Sequence, residues 1–230
     1  MREPAKTREK LLETAIALVW QSNYCSVGVE EICQRAGVTK GAFYHHFESK
    51  ADLFYEAAKH EREVTRGDWE AIFSHDLDPL EQLERLIAFL TAGGPEPRAV
   101  LAGVDPGRTF EVTGCPFFSA GGQVGLEETK VRQAAVEMAE HAVRDASAFV
   151  GGLKTGGYLN GDPDVEQIGR MAFMFVQGLL IYARAHNSRA IVEADLRDGL
   201  YRILDLKAEY RREAAPKEHG LAKAPAAAGL

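Results

Sequence analysis

The sequence predicts an all-α protein: an N-terminal three-helix unit built around a helix-turn-helix, followed by a larger helical body. Two observations predict it. From Val29 to Lys50, two short amphipathic segments are joined by a glycine turn. From Lys50 onward, apolar residues return at helical spacing in one segment after another.

Val29, Ile32, Cys33 and Ala36 stand at i, i+3, i+4 and i+7, which places one apolar stripe on a short helix. Gly37 supplies the left-handed residue that closes such a helix, and Val38 follows as a small apolar plug. Thr39 is placed to cap a second helix. In that helix Phe43 and Phe47 share the inner face, while Gly41 and His45 point outward, flanked by Ala42 and Tyr44. Lys40 and Lys50 border that outer face. Such a pair, with a small, aromatic and imidazole outer face, is the arrangement that sets a recognition helix in a DNA major groove.

The order Ala36-Gly-Val-Thr-Lys-Gly-Ala-Phe-Tyr-His-His-Phe-Glu-Ser-Lys50 resembles the DNA-binding domain of TetR-family repressors. Two positions depart from the family pattern. Ala42 stands where Thr or Ser is common, and Gly28 where many members place a capping hydroxyl that also meets a phosphate. Tyr24-Cys25-Ser26-Val27-Gly28-Val29 is similar to a subgroup that includes regulators responding to acrylate and other reactive electrophiles. The resemblance implies a homodimer that binds an inverted-repeat DNA operator, represses transcription and is released by a small-molecule inducer. The residues expected at the duplex are Thr39, Lys40, Ala42, Tyr44, His45, His46 and Lys50, with Lys50 on a phosphate.

The 230 residues are 46% hydrophobic and 27% charged, an ordinary globular composition, with net charge −7. Residues 1–50 carry seven Lys/Arg against six Asp/Glu, a net +1, so the acidity lies in the remaining chain. That asymmetry suits a small binding head on an acidic body. Three cysteines without metal spacing point to a reducing compartment, and the charged N-terminus lacks a secretory pattern. A cytoplasmic location is expected. No nucleotide-binding glycine motif is present, so no cofactor is expected, and the adjacent His45 and His46 diverge too far on a helix to share a metal.

Three domains are expected: a head over 1–50, a body over 51–213 and a disordered tail over 214–230. In the head, Thr7 to about Ser22 forms the first helix, with Arg2, Lys6, Arg8 and Lys10 as a basic arm. The body's helices are expected from Ser49 to about Phe73, from Asp78-Pro79 past Leu90, and briefly around 98–102 and after Pro116. A long helix follows over about 127–151, then a loop over 154–161. The helix over about 164–186 is apolar nearly all round and must be covered on every side, yet is too interrupted to span a bilayer. The last helix, about 191–211, carries Leu196, Leu200, Ile203 and Leu204 on one stripe. Together the last two predict a four-helix dimer interface.

The body holds more large apolar groups than a simple bundle needs, among them Phe89, Phe110, Met171, Phe173 and Phe175. An inducer cavity is expected from Cys115, Phe117, Phe118, Gln123, Met138, Phe149, Met174, Gln177 and Tyr182, with Glu111 as a further polar candidate. Cys115 follows Gly114 at a helix start, where the dipole favours thiolate. The Gly-Cys pair resembles that of the electrophile-responsive subgroup. Two other readings compete: a cysteine-based helical enzyme, which has no local base or oxyanion site, and a dimeric adaptor acting by protein contacts.

Overall fold

A computed structural model describes residues 3–94, 111–112 and 114–212. The helices are α1 (Glu3–Gln21), α2 (Val29–Ala36), α3 (Lys40–His46), α4 (Lys50–Ile72), α5 (Pro79–Thr91), α6 (Pro116–Ala120), α7 (Thr129–Thr155), α8 (Val165–His186) and α9 (Arg189–Ile203), followed by a 3₁₀ turn, Ala208–Tyr210. The short helix expected near 98–102, Phe110 and the tail lie outside the described residues.

Local chemistry sets most boundaries. Gly37 ends α2 with φ 64°, and Thr39, Ser49, Asp78 and Asp164 each accept a backbone N–H at the start of α3, α4, α5 and α8. At Gly28 the expected gap is real: α2 has no side-chain cap.

Two apolar clusters form the interior. The first joins α1, α2 and α3 to the first half of α4, and continues into Phe117 and Ala120 of α6 and Val131 and Ala134 of α7. A boundary at residue 50 therefore falls within a continuous core. The second cluster joins α5, the C-terminal half of α7, α8 and α9. Where α7 crosses α8 the backbones nearly touch: a Cβ on Gly169 would lie 2.7 Å from the Ser147 nitrogen, so only glycine fits.

Three boundaries differ from expectation: α1 begins at Glu3, a turn before Thr7, and two helices end elsewhere. Helix α7 runs through Gly151 and Gly152 to Thr155, because Val150 and Leu153 on either side of that pair are fully buried in the second cluster. Helix α9 stops at Ile203. Asp205 takes φ 47°, and Leu206 turns back to pair with Leu159.

The expected four-helix interface also needs correction. Leu196, Leu200 and Leu204 are buried within their own chain, against α5 and α8, and Ile203 is half-buried. The outward side of α9 carries Glu193, Asp195, Asp198 and Arg202. Among the described helices, α8 leaves an apolar face open, formed by Met171, Met174, Ile181 and Tyr182. No described helix is long and apolar enough to cross a membrane.

Candidate nucleic-acid interface

The inner face of α3 is fixed by Phe43, fully buried, and by Phe47 just beyond the helix end, with their rings 5.9 Å apart. The Thr39 hydroxyl accepts from the Ala42 N–H at 3.1 Å and holds the first turn. This leaves Gly41, Tyr44 and His45 exposed on one face. The Tyr44 ring stands edge-on to Phe43, 5.1 Å between centroids, and most of it is exposed. His45 and His46 stand edge-to-face at 5.0 Å. Burial, then His45, then Arg8 lower the His46 pKa, which keeps that imidazole neutral to lower pH.

Gly41 is informative because nothing inside the chain requires it. Its φ is not positive, and an added Cβ would make only an ordinary contact, 3.7 Å from the Thr39 hydroxyl. A glycine in a helix costs about 1 kcal/mol relative to alanine. The room it leaves opens outward, toward whatever approaches α3.

The basic groups divide. Lys40 pairs with Glu30 at 3.2 Å, but both side chains are well exposed and such a pair is weak, so the ammonium remains available. Arg8 is engaged, bonded to Glu56 at 2.6 Å with its guanidinium 5.4 Å from the Phe47 ring centre. Lys50 does not project outward as expected. Its ammonium donates to the Tyr24 and Val27 carbonyls, both at 3.1 Å, and sits 4.1 Å from the centre of the Tyr24 ring. It fastens the loop that leads into α2. Sequence reasoning missed that role because a lysine at a helix start carries no mark of which carbonyls will face it.

The expected inducer residues do not converge on one cavity. Phe117, fully buried, packs 5.1 Å from Phe54, with Cys115 and Met138 beside the same cluster. Phe118 meets Phe173 of α8 at 5.1 Å. Phe149 belongs to the other cluster, against Phe73. Met174 and Tyr182 face outward on α8, and Gln123 lies on the exposed turn after α6. Glu111 is fixed to the α8–α9 corner, its N–H donating to Asn187 and its carboxylate accepting from the Arg189 N–H. Gln177 alone of the set shows a buried atom, Oε1, with no hydrogen-bond partner. The phenylalanines of the set pack against rings of other elements, Phe54, Phe73 and Phe173, and the others are spread from α6 to α8.

Cys115 also departs from expectation. The residue is half-exposed overall, but its sulfur is enclosed. Burial pushes the thiol up to about 11, against the opposing pull of the Phe118 and Phe117 N–H groups at the start of α6. Five-residue α6 gives too weak a dipole to offset that loss of solvent.

A three-helix head presenting an uncommitted helix-turn-helix face, on a helical body, defines the class of helix-turn-helix regulatory proteins. Residues 11–57 match the family of bacterial regulatory proteins, tetR family, so the chain carries a TetR-family N-terminal domain. Over 92 residues it is 40% identical to the probable acrEF/envCD operon repressor of Escherichia coli K12, covering 38% of this chain and 41% of that protein. The chain thus matches less than half the length of that relative. The fold extends further. The reduced form of NemR from E. coli superposes with a TM-score of 0.66 at 20% identity, covering 86% of this chain and 95% of that one. A regulatory protein TetR from Rhodobacter sphaeroides does so with a TM-score of 0.69 at 21% identity, covering 86% and 96%. The all-α fold, head and body together, is that of TetR regulators.

Proposed function

We propose that this protein is a transcriptional repressor, not an enzyme, that binds an inverted-repeat operator as a homodimer and is released by a small molecule. The observation that carries the reading is the outer face of α3. Tyr44, His45 and Gly41 are exposed and held in place by a buried Phe43, and Gly41 has no structural reason inside the chain. Removing the Cβ there lets the helix backbone approach a groove wall closely. Thr39, Lys40, Ala42 and His46 complete the approach surface, while Lys50 acts from behind by holding the loop before α2.

The dimer forms through the open face of α8. An exposed run of Met171, Met174, Ile181 and Tyr182 on one helix face is what a second copy would cover. The two recognition helices would then stand about one helical turn of DNA apart, roughly 34–36 Å, or a multiple of it. For the inducer we propose the region of α6, where Cys115, Phe117 and Met138 sit on the first cluster and Phe118 reaches Phe173 of α8, the helix on which Gln177 carries its unsatisfied oxygen. A ligand there acts only by fitting one head spacing better than the other. The enclosed, protonated Cys115 favours reversible binding over covalent capture. Cytoplasmic residence follows from this role.

Selecting fragments from the genome of origin and measuring binding against salt tests the reading. Sequence-selective, salt-sensitive binding to a palindromic site is expected. Binding without sequence preference, or none, would overturn it and favour the adaptor.

A further inference from the structure

The head is linked to the body through α4, through Arg184 of α8, which donates to the Ser22 carbonyl at 2.6 Å, and by a further line of contacts from the turn and first helical turns after α6. The Tyr24 hydroxyl reaches the Glu128 carboxylate at 3.5 Å, while the same tyrosine's carbonyl and ring hold Lys50. Lys130, in the first turn of α7, bonds Asp52 and lies 3.5 Å from Glu48. Those two acids flank the step from α3 into α4: Asp52 Oδ2 accepts from the Glu48 N–H, and the Asp52 N–H donates to the capping Ser49 hydroxyl. The other end of this segment rests on α8, through Gly114 beside Leu180 and Phe118 against Phe173. One short stretch, residues 114–130, therefore touches α8 at one end and the recognition unit at the other.

We infer that Lys130 and Glu128 are positioning residues: the turn after α6 is a second lever, and these two side chains set the angle at which α2 and α3 are presented. This rests on the DNA-binding reading above. Tyr24 is the joint where the levers meet, since it contacts Phe54 of α4 edge-on at 4.8 Å as well as Lys50 and Glu128. The polarities fit an ion pair that persists at neutral pH. Hydrogen bonds from Lys130 and from the Glu48 N–H hold the Asp52 carboxyl below its usual range despite its partial burial, and Asp52 holds the Lys130 ammonium above its own. No other described side chain is bonded to Lys130 than these two acids.

Asp52→Asn separates positioning from plain electrostatics. It removes a negative charge beside the DNA-facing helix, so charge alone predicts tighter binding. Loss of the clamp predicts weaker binding, by about five-fold. Lys130→Met should weaken binding by a similar factor with the salt slope unchanged. The double variant should be no worse than either single one, and Lys130→Arg should restore most of the affinity. A salt slope reduced by about one in Lys130→Met would make Lys130 a phosphate ligand instead, and tighter binding by Asp52→Asn would overturn the clamp. Hydrogen exchange of the full chain without DNA separates this from the function itself. In Lys130→Met, amides over residues 23–36 should exchange faster at an unchanged melting temperature. Unchanged exchange there refutes the clamp whether or not the protein binds an operator, whereas faster exchange in Lys130→Met, with a wild type that selects no DNA, would refute only the function.

Discussion

Helices α3 and α8 each leave a face uncovered, and the two faces are built of different chemistry. On α3 the exposed groups are Tyr44 and His45 beside Gly41, all with a polar tip or no side chain. On α8 the large exposed groups are Met171, Met174, Ile181 and Tyr182, with the polar Arg170 and His186 exposed toward its ends. A face that meets a hydrated, charged surface needs donors and close backbone approach. One that meets a second copy of itself needs flexible apolar bulk that can be buried dry. The contrast fits the proposed partners, DNA for α3 and a second subunit for α8. It also corrects a natural reading of the sequence, because α9, although equally apolar in pattern, covers its stripe within its own chain.

The comparison breaks most visibly by placing a charge on each apolar stripe. Met174→Asp should leave the fold intact but convert dimer to monomer and lower full-operator affinity by more than about a hundred-fold, because tight binding needs both half-sites. Leu200→Asp should instead destabilise the chain by about 3–5 kcal/mol, since it leaves an unpaired charge in a closed core. Mass by sedimentation and thermal melting distinguish the two; a folded monomer from Leu200→Asp would return α9 to the interface.

On the α3 side, inner and outer positions should separate in the same way. Phe43→Ala should cost about 3–5 kcal/mol of stability, as for any large buried ring. Gly41→Ala should raise the melting temperature slightly, by up to about 1 kcal/mol of helix propensity, while weakening operator binding. An alanine there that binds DNA normally would mean the groove does not approach the backbone at that point.

How much of this was legible depended on whether the decisive interaction is local. Helices α2 and α3 were readable because Gly37, Thr39 and the Phe43–Phe47 spacing act within a few residues of themselves. The end of α9 was not, because Leu206 is held by Leu159, far away in the chain. The inducer set is dispersed for the same reason. Which of Phe117, Phe149 and Met174 share a space depends on how α6, α7 and α8 cross, and a periodic pattern does not encode crossing angles. The α3 face could be named residue by residue, whereas the Lys130–Asp52 clamp left no sequence mark at all.

Smaller effects sharpen the picture. Because the folded protein lowers the His46 pKa from its ordinary 6.5, the unfolded chain takes up a proton first as pH falls. Stability from this group is full above about pH 6.5 and is lost as pH drops from there through the folded value. His46→Gln should flatten that limb of the melting curve, and an unchanged pH profile would show His46 to be freely solvated. Cys115 should react slowly with a small electrophile at neutral pH, after exposed Cys25, as mass mapping would show. Rapid modification at Cys115 would mean that its sulfur becomes accessible in solution.

The most direct test is the operator affinity of Tyr44→Ala, measured on protein shown to keep its dimer mass and melting temperature. Tyr44 is more than half exposed, so its loss should change stability by no more than about 0.5 kcal/mol. If α3 reads DNA, affinity should fall by roughly 1–3 kcal/mol, ten-fold or more at the centre of that range. An unchanged affinity in a folded dimer would contradict the assignment of α3 as the recognition helix.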